Sequence, residues 1–261
     1  MKPLLAIVPK RTLIGSLLLM VGLPALVLTG WWGPWSPGAL ARADRMAEQG
    51  QWSDAVEAYT AVAEWAPDEQ TRRDALYAGG AVAATAGLNQ TAVRLLERFE
   101  RNAPEDPRMD DARARLGTVY ERMQRPVAGA KAYERSLDFD PVEGGERHLR
   151  AGDLWLQAER PWLAWSHWEK AAEDPEVVQQ AWLRMARARL SVGDFAGADE
   201  YYVLMLDHGA SGEWEELARL GRAVCAEGQG DFANALAELE TLDGEKVERA
   251  RERVHRRDPR E

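Results

Sequence analysis

The sequence predicts an all-α protein built from repeated helix pairs. Composition points first to helix: Ala, Glu, Arg and Leu abound, and strand-forming runs are scarce. A second observation is a pattern that recurs six times between residues 38 and 243 at nearly constant spacing. The third is punctuation, with Gly-containing turns before the second helix of most units and a proline after it in the first four. With 46% apolar residues and 11 Trp in 261 residues, the chain can build a packed core. Each packed Trp removes roughly 150–250 Å² from water.

Aligning the second helices makes the period visible. Gln51-Trp52-Ser53-Asp54-Ala55 leads to Tyr59, Val62 and Pro67; Leu88-Asn89-Gln90-Thr91-Ala92 leads to Leu96, Phe99 and Pro104. Pro126-Val127-Ala128-Gly129 leads to Tyr133, Ser136 and Pro141, and Trp162-Leu163-Ala164 to Trp168, Ala171 and Pro175. Asp194-Phe195-Ala196-Gly197-Ala198 leads to Tyr202 and Met205, and Asp231-Phe232-Ala233-Asn234-Ala235 to Leu239 and Leu242. The small anchors at 55, 92, 129, 164, 198 and 235 are separated by 37, 37, 35, 34 and 37 residues. Small residues also recur on the first helices, at 80, 117, 152, 186 and 223, where they let two helices approach closely. The aromatic or Leu four residues after each anchor lies on the same helix face and fills the space so created. Proline stops the second helix because it cannot continue the backbone ladder.

This pattern resembles the tetratricopeptide repeat, whose period is about 34 residues. Leu116-Gly117-x-x-Tyr120 matches the family's L-G-x-x-Y element directly. Gly79-Gly80-x-x-Ala83, Ala151-Gly152-x-x-Trp155 and Met185-Ala186-x-x-Arg189 are degenerate versions. The family's turn glycine appears as Gly50, Gly87, Gly193 and Gly230, but Gln124 and Glu159 replace it in the middle repeats. The resemblance covers roughly residues 38–243 and implies a right-handed superhelical solenoid of about six helix pairs. It also implies partner binding along a concave groove lined by the first helices. The fifth residues of the repeats would line it: Leu40, Tyr77, Ala114, Leu149, Leu183 and Leu220. The ninth residues, Asp44, Ala81, Thr118, Asp153, Arg187 and Val224, would join them. The Lys and Asn of the family's carboxylate clamp are missing at these positions. The implied groove is mildly apolar with scattered charge, which suits an amphipathic helix or an extended protein segment.

The N-terminus reads as a membrane anchor. After Lys10-Arg11 no charged residue occurs before Arg42, and residues 12–32 form a 21-residue apolar run, long enough to span a bilayer as a helix. Trp31, Trp32 and Trp35 cluster at its far end as interfacial aromatics do. The basic residues Lys2, Lys10 and Arg11 keep residues 1–11 in the cytoplasm and send the repeats outside, into the periplasm of a bacterial inner-membrane protein. The competing reading is a cleaved secretory signal with an Ala39-Leu40-Ala41 site. The apolar run exceeds the usual ~7–15 residues of a signal core, which favours the anchor. No Cys follows the run, so lipidation there is excluded.

Chemistry-bearing motifs are few. The chain has 33 basic and 43 acidic residues for a net charge of −10, and three of the basic ones precede the apolar run. An acidic body repels phosphate backbones, which excludes nucleic acid as an expected partner. Cys225, the single cysteine, sits among Ala223, Val224 and Ala226 and reads as a small buried thiol. His148, His167, His208 and His255 show no metal-ligand spacing; His148 and His167 read as packing residues between neighbouring helices. The carboxylate pairs Asp110-Asp111, Asp199-Glu200 and Glu215-Glu216 lie on charged helices and read as solvated faces. No cofactor, metal or catalytic site is expected. The expected function is a non-enzymatic scaffold for protein partners. The alternative is a cell-wall glycan module using Trp155, Trp162, Trp165 and Trp168, although Trp155 and Trp168 occupy core positions. Residues 244–261 are highly charged and read either as a capping helix to about Arg257 or as a solvated tail.

The anchor reading has a direct test. A reporter fused after Glu261 is expected to be active only outside the cytoplasm. Activity of a cytoplasm-only reporter at that site overturns the orientation, and a mature chain starting near Arg42 overturns the uncleaved anchor.

Overall fold

The computed structural model describes residues 38–137 and 144–257. Among these residues there are thirteen α-helices and no strand. The apolar run at 12–32, its flanking tryptophans, Pro141 and residues 258–261 lie outside the described residues. Among the described residues, no helix is long and apolar enough to cross a membrane. The chain divides after Asp106 into two compact units.

The first unit holds two helix pairs. Helix α1 (Ala39–Glu48) packs against α2 (Trp52–Trp65), α2 against α3 (Glu69–Thr85), and α3 against α4 (Asn89–Asn102). The second unit holds four more pairs: α5 (Met109–Arg122) with α6 (Pro126–Arg135), α7 (Gly145–Gln157) with α8 (Pro161–Ala171), α9 (Val178–Ser191) with α10 (Phe195–Asp207), and α11 (Glu213–Gln229) with α12 (Phe232–Glu240). A last helix, α13 (Glu245–Arg257), packs on α12. In each pair the first member is termed helix A and the second helix B.

Local sequence explains where these helices start and stop. Asp68 accepts a hydrogen bond from the Thr71 amide at 2.7 Å and caps α3; Asp194 and Asp231 do the same for α10 and α12. Pro126 and Pro161 open α6 and α8, where a missing amide proton costs nothing. Helices α2 and α4 end two residues before Pro67 and Pro104, as the sequence pattern requires. The four turn glycines, Gly50, Gly87, Gly193 and Gly230, have φ between +73° and +81°. Gln124 and Glu159 adopt the same left-handed conformation, at φ +56° and +60°. The turn is thus retained in the middle pairs despite the residue change, at a steric cost that glycine avoids.

Each pair is closed by one large side chain of helix B seated on a small residue of helix A, sixteen positions earlier. A Cβ added at Gly80 would meet Leu96 at 2.6 Å, at Gly117 the Tyr133 ring at 2.8 Å, and at Gly152 the Trp168 indole at 2.5 Å. The same spacing joins Ala43 to Tyr59, Ala186 to Tyr202 and Ala223 to Leu239, all of them buried. In the second unit these residues belong to two apolar clusters, one running from Ala130 to Cys225 and one around Leu239 and Val247. The charged C-terminal segment is a capping helix. Val247, Ala250 and Val254 of α13 are buried, Arg253 and Arg257 pair with Glu227, and Arg251 donates to the Leu239 and Leu242 carbonyls.

Two substitutions test this packing by urea unfolding. Gly117→Leu is expected to destabilise by about 1–3 kcal/mol or more, because the Tyr133 ring already occupies the space. Glu159→Gly is expected to stabilise by roughly 0.5–1 kcal/mol, since relief of the left-handed strain exceeds the added chain entropy.

Candidate partner-binding face

The ninth position of helix A lies fifteen residues before the same helix-B side chain, and the two are matched in polarity. Tyr59 donates its hydroxyl proton to Asp44 at 2.6 Å. The Tyr133 hydroxyl lies 2.9 Å from the Thr118 hydroxyl, and the Trp168 indole N–H donates to Asp153 at 3.2 Å. Where helix B carries Leu96 or Leu239, which have no polar tip, the ninth residue is Ala81 or Val224. The polar partner is needed because a buried donor left without an acceptor costs about 1–3 kcal/mol. Burial first, and then the Asp44 hydrogen bond, raises the pKa of Tyr59; burial likewise raises that of Tyr133.

The implied groove residues take up three kinds of place. In the first unit Leu40, Tyr77 and Ala81 are half-buried, and the Tyr77 ring packs on Phe99 with centroids 5.4 Å apart. Tyr77 is therefore a packing residue of its pair as well as a surface one. In the second unit Ala114, Asp153 and Leu220 are half-buried, and Thr118 and Arg187 are exposed. Leu149 and Leu183 correct the expectation: both are buried, Leu149 completely, in the cluster that also contains Ala130 and Tyr133. The fifth residue of α7 and its counterpart on α9 turn into the core and offer a partner no surface.

Ion pairs tie neighbouring A helices of the second unit together. Arg150 of α7 reaches Glu121 of α5 at 3.3 Å, and Arg184 of α9 reaches Asp153 of α7 at 2.7 Å. Arg222 of α11 instead ties an A helix to its B-helix neighbours, bridging Asp199 of α10 at 3.0 Å and Glu238 of α12 at 2.6 Å. Such pairs contribute little stability each, about 0–1 kcal/mol, but they hold long side chains in one arrangement. Sequence reading missed these ties and the fifteen-residue pairing. The second had a legible signal, because the ninth residue is polar where its helix-B partner is Tyr or Trp and apolar where that partner is Leu.

The tryptophans and histidines of the fourth pair do structural work. Trp155 and Trp168 are buried, as their repeat positions imply. Trp165 is covered by the Arg189 guanidinium 4.8 Å above its ring, abuts Tyr201 edge-on at 5.8 Å, and donates to Glu169 at 3.0 Å. Trp162 alone of the four is well exposed, at 63%. Glu134 accepts from the Trp155 indole at 2.7 Å and lies 3.0 Å from His167 Nε2. His167 Nδ1 is 2.9 Å from His148 Nδ1, so a polar chain links α6, α7 and α8. Among the described residues no group of three or more His, Cys, Asp or Glu is arranged to hold a metal ion. Cys225 is buried, and burial pushes its thiol up to about 12, so at neutral pH it is a thiol and not a nucleophilic thiolate.

In fold, the chain is similar to tetratricopeptide-repeat proteins of known structure. It superposes on a MamA protein with a TM-score of 0.56 at 16% identity, over 71% of this chain and 95% of that one. A tetratricopeptide repeat protein from Parabacteroides merdae gives 0.55 at 17% identity, over 83% and 84%. The pilF protein of Pseudomonas aeruginosa gives 0.52 at 16% identity, over 84% and 96%. No family model and no curated protein matches the chain in sequence. At these identities the likeness is one of fold.

The histidine chain makes stability depend on pH. Burial, then the charges of His167 and Lys170, hold the His148 pKa at about 4, against the opposing pull of Glu134. The unfolded chain, with an ordinary imidazole near 6.5, binds the proton first. Stability contributed by neutral His148 is therefore present above pH ~6.5 and is lost as pH falls from there to about 4. His148→Asn, which keeps a donor but cannot titrate, is expected to flatten this part of the unfolding-versus-pH curve. An unchanged slope between pH 6.5 and 4 would show that His148 does not supply it.

Proposed function

We propose that this chain is a non-enzymatic scaffold of the bacterial envelope. It binds segments of protein partners along the A-helix faces of its repeats, tethered by residues 12–32 with the repeats in the periplasm. The observation that carries the binding reading is the A-helix surface of the second unit. There Ala114, Thr118, Asp153, Arg187, Leu220 and Val224 are all at least partly accessible, on helices tied by packing and ion pairs. A surface held in one arrangement before binding loses little entropy when a partner docks. The fold likeness to tetratricopeptide-repeat proteins supports a scaffold in general. The membrane tether and its orientation rest on the apolar run and its basic flank.

Photo-crosslinkers placed in cells at Thr118 and Val224, on A helices, and at Lys131 and Lys170, exposed on B helices, separate the two surfaces. The A-helix positions are expected to converge on the same partner segments and the B-helix positions to capture none of them. Equal capture from both faces overturns the reading. So does retention on purified peptidoglycan that is lost with Trp162→Ala while partner capture is absent.

A further inference from the structure

We propose that His148 and His167 form a two-imidazole site for a borderline divalent metal ion, Cu²⁺ or Ni²⁺ by geometry, which clasps the two helices of the fourth pair together. The inference is independent of the partner-binding reading.

The surroundings of the pair fix where its protons sit. The Glu134 carboxylate on α6 can only accept hydrogen bonds. Its Oε1 accepts from the Trp155 indole at 2.7 Å and faces His167 Nε2 at 3.0 Å. Neutral His167 therefore carries its proton on Nε2, and its Nδ1 lone pair faces His148 Nδ1, 2.9 Å away. In the metal-free chain His148 supplies the one proton between these two nitrogens. A metal ion can take that proton's place. The His148 proton moves through solvent to its own Nε2, since this ring is only half-buried, and both Nδ1 lone pairs then bind the ion. Both rings stay neutral throughout. A carboxylate behind a ligating imidazole is the common support of a metal-bound histidine, because it fixes the tautomer and raises the ring's basicity. Glu134 stands in that place, and the Trp155 indole holds the same carboxylate oxygen.

The donor set and its spacing select the metal. Two nitrogens 2.9 Å apart, each bonded at about 2.0–2.1 Å, subtend roughly a right angle at the ion. That is the angle between neighbouring ligands of a tetragonal or octahedral centre. Tetrahedral zinc would need the nitrogens about 3.3 Å apart. Imidazole ligands at a right angle point to Cu²⁺ or Ni²⁺, and Cu²⁺ binds the more tightly of the two. Ca²⁺ and Mg²⁺ prefer oxygen ligands, which this pair does not offer. Among the described residues no third His, Cys, Asp or Glu completes the group, so water fills the remaining positions. Of the charged neighbours, Glu134 favours the ion and Lys170 on α8 opposes it. His148 lies on α7 and His167 on α8, so the ion joins helix A to helix B, with Glu134 of the preceding pair behind it.

The test titrates Cu²⁺ into the full-length, untagged chain in detergent micelles and reads electron paramagnetic resonance. One Cu²⁺ per chain is expected, with the signature of two equatorial imidazoles, and the unfolding midpoint is expected to rise with copper concentration. His148→Ala is expected to abolish the two-imidazole signature. Glu134→Gln leaves both ligands in place and is expected to weaken binding about 10–100-fold. His208→Ala and His255→Ala are expected to change nothing. A signature that survives His148→Ala, or that depends on His208 or His255, overturns the site, as does the absence of stoichiometric binding. Should His148→Ala unfold the pair, the native signature and the Glu134→Gln response decide: a single imidazole, or an affinity indifferent to Glu134→Gln, overturns the proposal.

Discussion

Everything in this protein depends on how closely helix A and helix B of each pair approach. The approach is set by a residue with at most one methyl group on helix A: Ala43, Gly80, Gly117, Gly152, Ala186 or Ala223. Onto it sits one large helix-B side chain, and at the three glycines even a single added carbon would collide with it. Burying such a side chain contributes about 1.5–3 kcal/mol, so the interlock is a leading favourable term in a pair too small to fold alone. Pairs within each unit then pack through faces that the interlock has oriented. The capping helix α13 closes the second unit's last pair with three apolar contacts, and its arginines meet the buried Glu227.

The interlock also links stability to function. A Tyr or Trp seated in it carries a polar tip that must be satisfied, and the tip emerges at the ninth position of helix A. That position belongs to the face a partner would meet. Side chains such as Asp44, Thr118 and Asp153 therefore serve the pair first and present to solvent only what remains. Asp153 is engaged twice, by Trp168 and by Arg184. On the proposed scaffold reading, the surface offered to a partner therefore has a polarity chosen partly by packing.

Much of this was legible in the sequence. The period, the helix stops before Pro67 and Pro104, the turn glycines and the burial of Trp155 and Trp168 follow from spacing and residue chemistry alone. Gln124 and Glu159 stand where the other repeats carry a turn glycine, and both take the left-handed conformation, because the closed pairs on either side fix where the chain must reverse. The fifth positions were less legible. Their rotation about the helix axis is set by what the preceding pair offers, and Ala130 and Tyr133 draw Leu149 inward while Leu40 and Leu220 stay half-accessible. The ion pairs between A helices were hidden because charged residues fill every surface position and many partners were conceivable. The apolar run at 12–32 remains a reading of the sequence, on which the proposed location rests.

A double-mutant cycle at Tyr59 and Asp44 tests the central claim most directly. The claim is that a helix-B tip and the ninth helix-A residue form one coupled unit, joined here by a 2.6 Å hydrogen bond to a carboxylate. Unfolding free energies of Tyr59→Phe, Asp44→Ala and the double variant isolate the coupling. The account predicts about 1.5–3 kcal/mol of favourable coupling, the range for a hydrogen bond to a charged group. Additive single effects, with coupling near zero, would contradict it.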